Sequence, residues 1–401
     1  MERNVLDRAL GRPLTRRNLL RGGVMLGAAV AAAPALAACG GGGASSSRDQ
    51  RTLNILTWET YHDPAWLAEV KQATGITVNA VTAGSAGEMV AKVRAAPAQY
   101  DLVMVTAGVY RDYTASDLLV PVDEARVPGL SDKIRLSFDW RGAATVDGKR
   151  YGILYNWGNQ PLVYDDSVAN SPAASKYKNS DGVVGDWNIL WDPAFARKVS
   201  VFDDPVSVLP MIPLSLGIAD PYHLSDADFA RMKDKLMALR PQIRRLTSGF
   251  NDQTTQFANG EARLGYLNNI TSVSSLAGQG KKLNVNNTPG AGVPAWTDSY
   301  AITKAGAERL DAVYQFIAYT LTVPWQARFV AASGNAGVLD GQQAGSAEAQ
   351  RAGLTPERLA ATQIPATAAG DAFFSKMKFF QTTENQQARL NLWNEFKLGL
   401  G

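Results

Sequence analysis

Between Leu53 and Thr106 the chain alternates two kinds of apolar pattern, and this restricts its architecture more than any other feature. Leu53-Asn54-Ile55-Leu56-Thr57 reads as a strand. Asp63 and Pro64 then supply a helix N-cap and first helical position, Trp66, Leu67 and Val70 supply an apolar face, and Gly75 follows its end. Ile76 to Val81 reads as a second strand. Ser85 and Glu88 form a capping-box pattern ahead of Met89, Val90 and Val93, and Pro97 stops that helix. Asp101 to Thr106 is a short apolar run suited to a strand buried on both faces. Strand, helix, strand, helix, strand predicts a parallel sheet in an α/β fold.

A second block follows. Ile153 to Trp157, Gln160 to Tyr164 and Lys198 to Phe202 read as extended segments, and Ala262 to Leu267 as a further strand. Ser225 and Asp228 open a helix with Phe229, Met232, Leu236 and Leu239 on one face. Helices are also predicted over 307–321 and 323–332, with a helical tail ending near Leu398. Two α/β blocks joined by extended crossings predict two lobes with a cleft between them. Ligands in such sheets sit beyond the carboxyl ends of the strands. This singles out Trp58-Glu59-Thr60-Tyr61, Thr106 to Tyr110, Asp203-Asp204, Leu267-Asn268-Asn269 and Trp296-Thr297-Asp298.

The first residues carry an address. Thr15-Arg16-Arg17-Asn18-Leu19-Leu20-Arg21 precedes an uncharged run from Gly22 to Ala38, then Cys39-Gly40 and a tether of glycine and serine. A basic start, an apolar stretch and a small-residue cleavage site make residues 1–38 an export signal. The paired arginines fit the twin-arginine variant, with the general secretion route as the alternative. Leu36-Ala37-Ala38-Cys39 resembles a bacterial lipobox, which implies cleavage before Cys39 and lipidation of it. A transmembrane anchor is the other reading, but the run is short of the ~20 residues a span needs and contains Pro34. The signal also distorts the charge. It holds six arginines and two acids, so 34 of 40 basic and 35 of 37 acidic residues remain after it, a net of −1. Nothing in that balance favours nucleic acid.

Catalytic chemistry is sparse. Cys39 is the only cysteine, and His62 and His223 are the only histidines. They cannot assemble a Cys/His zinc site, and the sequence has no Gly-x-Ser-x-Gly elbow, Walker loop or Gly-x-Gly-x-x-Gly fingerprint. His62, beside Asp63, and His223, beside Tyr222, are expected in surface or capping roles. Paired carboxylates leave glycoside hydrolysis open.

The post-strand segments carry a resemblance. Trp58-Glu59-Thr60-Tyr61, Glu69 to Val78, Tyr100-Asp101-Leu102-Val103, Asp186-Trp187 through Trp191-Asp192-Pro193, Phe202-Asp203-Asp204 and Trp296 to Ile302 occur in the order seen in the spermidine/putrescine-binding proteins. The chain resembles that family from about Leu53 to Phe380. The resemblance implies a two-lobed periplasmic-binding-protein-like fold with a hinge and an interlobe cleft. Lobe 1 would take 51–158 and about 298–345, and lobe 2 would take 159–297 and about 346–401, after a lipidated tether over 39–50. It implies no enzyme, no metal and no cofactor, but a monomeric lipid-anchored receptor on the outer face of the cytoplasmic membrane. This receptor would hand a small cationic solute, a polyamine or diamine, to an ABC permease.

The implied ligand chemistry is physically coherent, since each buried ammonium needs a carboxylate and each methylene run needs an apolar wall. Aromatic rings serve both needs. Asp298 matches the family's main ammonium-binding aspartate and Trp296 the aromatic two residues before it. Asp204 matches a second acid, Trp58 and Tyr61 the first-lobe wall, Thr106 a hydroxyl position and Gln381 a late amide. Three positions depart from the family pattern: Ser207 stands for an acid, Leu267 for an aromatic and Asn335 for a tyrosine. These departures point either to a shorter diamine, with Asp204 and Asp298 taking one ammonium each, or to a ligand with a single amine. A receptor for a sugar or another uncharged solute, a secreted carboxylate hydrolase and an adhesion or sensor lipoprotein are the competing readings.

Overall fold

A computed structural model describes residues 49–400 apart from Asn269 and Glu384. The expected export signal, Cys39 and the tether up to residue 48 lie outside the described residues. The first lobe opens with β1 (Thr52–Trp58), α1 (Pro64–Thr74), β2 (Thr77–Ala83), α2 (Ala86–Ala95) and β3 (Leu102–Thr106). β1 lies between β2 and β3 and is parallel to both, as the alternation predicts. Asp63 caps α1 by accepting from the Ala65 N–H, and Gly75 ends it in the left-handed region at φ 73°. Ser85 caps α2, but Glu88 reaches back to the Gly84 N–H rather than to that of Ser85.

The chain then runs through β4 (Ile153–Asn159), β5 (Leu162–Tyr164), β6 (Val199–Phe202), α3 (Pro205–Val208), α4 (Asp226–Met237), β7 (Ile243–Thr247), α5 (Phe250–Ala258), β8 (Leu264–Tyr266) and β9 (Asn284–Asn286). From β5 onward these strands build the second sheet, in the order β7-β6-β8-β5-β9. Within it β6 is parallel to β7 and β8, and β5 is antiparallel to β8 and β9.

Three crossings join the sheets. β4 belongs to the first sheet and leads directly into β5 of the second. β10 (Val293–Thr303) returns, pairing antiparallel with β3 and β4. After α6 (Leu310–Thr320) and α7 (Val323–Ser333), β11 (Met377–Phe379) runs parallel to β10, and α8 (Gln386–Leu398) packs on α3 and α4. The helical turns at 347–374 gather on α7 or beside Phe138 and Trp157, and α8 packs on the second lobe.

Two elements lie outside the sequence expectation. β7 carries Arg244 and Arg245 at its centre, as suits the outer strand of its sheet. α5 buries Gln253 and Gln256 alongside Phe250 and Phe257, which blurs its apolar stripe. Trp296 to Asp298, read as following a strand, lie inside the eleven-residue β10.

His62 departs from its expected surface or capping role. It is buried among Tyr155, Tyr300 and Phe316, with Nδ1 bonded to Thr57 Oγ1 at 2.9 Å and Nε2 to Tyr300 Oη at 2.7 Å. Burial pushes the imidazole down to about 3. It is therefore neutral in the fold, and the stability this confers is complete above 6.5 and lost as pH falls below it. His223 sits in a turn beside Asp220, as expected.

A buried ion pair ties α6 to the first sheet. Asp101 precedes β3, accepts from the Asn54 N–H at 2.7 Å and pairs with Arg309 at 3.1 Å. Removing one partner strands the other charge. Arg309→Met is therefore expected to lower unfolding stability by about 3–5 kcal/mol in denaturant titration. A loss below about 1 kcal/mol would show that the pair is not a structural tie.

Candidate ligand cleft

β10 places the key carboxylate. Asp298 stands opposite Thr106 on β3 and Asn156 on β4. Directly after it the β4 register slips, so that Ser299 faces Leu154 and Tyr155 is the extra residue. Such a bulge re-aims the side chains around it. Asp298 accepts from Tyr61 Oη at 2.6 Å through Oδ2 and from Thr106 Oγ1 at 2.5 Å through Oδ1. Tyr61 Oη in turn accepts from Asn156 Nδ2 at 3.0 Å. The indole N–H of Trp58 turns toward the same carboxylate without reaching hydrogen-bond geometry.

Trp296 sits two residues before Asp298 on the same strand. It packs against Ala107, Tyr222 and Phe380 and covers Gly158 on β4. A β-carbon at Gly158 would lie 2.6 Å from the indole ring, so this close approach requires glycine.

The second lobe answers from the carboxyl ends of its own strands. Asp204 follows β6 and caps α3, accepting from the Val206 N–H at 3.2 Å and from Ser207 Oγ at 2.9 Å. Phe250 follows β7 and Asn268 follows β8. Asp204, Ser207, Phe250 and Asn268 face Trp58, Tyr61, Thr106, Trp296 and Asp298 across one cavity, closed at one end by Phe380. Six of the seven expected ligand residues are thus brought together. Gln381 is not, since it lies on the other side of Phe380 beside Gly108, where β11 has already carried the chain past the cavity.

The three departures resolve differently. Ser207 lines the cavity and donates to Asp204. Leu267 packs into the second lobe against Val163, Phe257 and Leu276, and so supplies no wall. Asn335 is buried and leaves both amide atoms without a hydrogen bond, but it does not line the cavity. Sequence reasoning passed over the walls Phe250 and Phe380. The only signal for Phe250 was its place after Ser248-Gly249, and for Phe380 its place before Gln381.

Both acids are buried without a cation. Burial pushes the Asp298 carboxyl from 3.8 to about 6, against the opposing hydrogen bonds from Thr106 and Tyr61 and the nearby indole N–H of Trp58. Burial likewise pushes Asp204 to about 6, against hydrogen bonds from Ser207 and the Val206 N–H. The lobes are shut around them. A β-carbon at Gly84 would meet the Ser248 carbonyl oxygen at 2.6 Å, the Glu59 carboxylate lies over Gly249, and the Trp58 and Phe250 rings are 5.9 Å apart. The cavity holds about 20 Å³, room for a single water molecule. Any larger solute requires the lobes to part. Among the described residues no cluster of His, Cys, Asp and Glu has the arrangement to hold a metal ion.

A family model for the bacterial extracellular solute-binding proteins matches residues 65–357. The chain belongs to that family. Its members are the solute-binding components of ABC importers and are not enzymes. This solute-binding protein is 26% identical over 272 residues to spermidine/putrescine-binding periplasmic protein 1 of Haemophilus influenzae, covering 67% of this chain and 70% of that one. It is 25% identical over 283 residues to the putrescine-binding periplasmic protein PotF of Escherichia coli, covering 68% and 74%. In three dimensions it is similar to a putative spermidine/putrescine ABC transporter protein from Listeria monocytogenes. The TM-score is 0.68 at 20% identity, covering 87% and 98% of the two chains. That likeness fixes the two-lobed α/β fold of this solute-binding protein.

The raised carboxyls carry a signed pH dependence. Each folded value lies above the unfolded one, so ionisation destabilises the shut, ligand-free protein above about pH 6 and has no effect below about pH 4. Asp298→Asn is therefore expected to raise ligand-free stability at pH 7–8 by about 1–3 kcal/mol. Its melting curve should merge with that of the wild type at pH 4. An equal difference at both pH values would show that Asp298 is not a buried, unpaired carboxylate.

Proposed function

We propose that this solute-binding protein takes up a small solute bearing an ammonium group, of diamine size, between Asp298 of the first lobe and Asp204 of the second. The observation that carries this reading is the pair of buried carboxylates facing each other across aromatic walls with no cation of the protein's own between them. An ammonium would replace the protons these acids otherwise take up. Trp58, Trp296, Phe250 and Phe380 would cover its methylenes and face the charge at about 0.5–2 kcal/mol each. Tyr61 and Thr106 hold Asp298 in place. The relatives whose names state putrescine or spermidine binding support the same solute class. With Ser207 in place of a further acid, two carboxylates serve at most two ammonium groups, which favours a short solute over a long polyamine.

We further propose that the protein acts as a monomer at the outer face of the cytoplasmic membrane, held through lipid on Cys39 and delivering its solute to a permease. The first 38 residues and the glycine-serine tether support this reading.

Two measurements test these readings. Thermal shift against putrescine, spermidine, alkylamines and neutral sugars should show a dose-dependent rise with amines only, since a ligand stabilises by mass action. Affinity should weaken as pH falls from 7 to 5 and the two acids protonate. A rise with a sugar and none with any amine would end the cationic reading. For the anchor, Cys39→Ser should abolish incorporation of labelled palmitate and release the protein from membranes. Unchanged membrane retention would sink the lipid assignment.

A further inference from the structure

Behind Phe380 lies a second cavity, of about 60 Å³, which adjoins the first. α3 separates them, with Asp204 and Ser207 facing the ligand cavity and Pro205 and Val206 facing the second. Leu209, Tyr222 and Leu390 make the other walls apolar. Gln381, the expected site residue that falls outside the first cavity, lines this one instead.

Its charged group is Arg389 on α8, 6% exposed. Nε donates to Asn385 Oδ1 at 2.9 Å, and Nη2 donates to the carbonyls of Pro221 and Tyr222 at 3.0 and 3.1 Å. All three acceptors are neutral. Among the described residues no carboxylate lies within ion-pair range of Arg389, and Nη1 has no hydrogen-bond partner. Asp220 acts on it only at longer range and is engaged by His223. The contrast with Arg309 is direct, since that equally buried guanidinium has Asp101 at 3.1 Å. Burial without a counter-ion pulls the Arg389 guanidinium down to about 10. A buried cation of this kind is costly until an anion meets it, and the planar guanidinium suits a carboxylate.

We propose that the solute carries a carboxylate at the end opposite its ammonium, and that Arg389, with Gln381 beside it, receives that carboxylate. The solute class is then an ω-amino acid, with its ammonium between Asp298 and Asp204 and its chain passing Phe380. The proposal rests on the ammonium reading given above and extends it to the far end of the molecule. Phe380 is the element that must shift to join the two cavities. It is anchored through its backbone, with its N–H on the Ala295 carbonyl at 2.8 Å, which leaves the ring as the moving part.

The test uses the purified full-length protein and two matched series. One series runs from 3-aminopropionate to 6-aminohexanoate, the other consists of the alkylamines of the same carbon counts, and putrescine is a third arm. In calorimetric titration the wild type should bind at least one ω-amino acid about tenfold or more tightly than its matched amine. Arg389→Gln should cancel that factor and leave the alkylamine affinities unchanged, and Gln381→Leu should reduce it. Asp298→Asn should weaken both series. The proposal is overturned if no ω-amino acid outbinds its matched amine, or if Arg389→Gln weakens both series alike, as a purely structural clamp would. Should Arg389→Gln fail to fold, the wild-type comparison decides alone. Binding of putrescine and alkylamines without preference for the amino acids ends this proposal and keeps the ammonium reading. Binding of no amine at all ends both.

Discussion

The shut cleft depends on one electrostatic tension. Asp298 and Asp204 are brought from opposite lobes into a space with room for one water, and neither finds a positive partner there. Each is stabilised by hydroxyl and N–H donors of its own lobe, and each is still displaced toward its neutral form. Their ionisation above about pH 6 burdens the shut, solute-free lobes, and protonation below it relieves that burden. On the proposed reading, a cation that enters would replace those protons and strengthen the closed form, coupling closure to charge recognition. β10 carries Asp298 and Trp296 into the cavity and is also one of the crossings between the two sheets.

The surrounding structure holds Asp298 still. Thr106 is its register partner on β3, Tyr61 reaches it from the loop after β1, and Asn156 supports Tyr61 from β4. Behind them His62 joins Thr57 to Tyr300 through a neutral imidazole. Three separate stretches of chain thus converge on one carboxylate. The second lobe is simpler, since Asp204 and Ser207 belong to a single turn at the end of β6.

Much of this was legible in the sequence because it depends on local rules. Asp63-Pro64, Ser85 and Ser225 start helices by capping, and Leu102 to Val105 form an inner strand because nothing polar interrupts them. The cleft residues after β1, β3 and β6 were legible because aromatics and acids stand out where strands end. What stayed hidden depends on distant packing. β7 carries arginines at its centre and α5 sets Gln253 and Gln256 on its buried face, and the wall residue Phe250 went with them. His62 looked like a capping neighbour of Asp63, yet two hydroxyls 5 and 238 positions away satisfy both ring nitrogens and allow it inside. Gln381 was placed by similarity alone, and the path of β11 carries it past the first cavity to the second. Arg389 carried no signal, because an arginine on a helix normally faces water.

The three crossings have a consequence for how the molecule is made. The first sheet needs β1 to β3 from the beginning of the described chain and β10 and β11 from its final third, while the second lobe lacks the cover of α8 until nearly the last residue is present. The second sheet is drawn from one contiguous stretch, whereas the first must wait for its late strands. Long-range pairing of this kind slows folding, so completion of the first sheet sets the pace for the molecule.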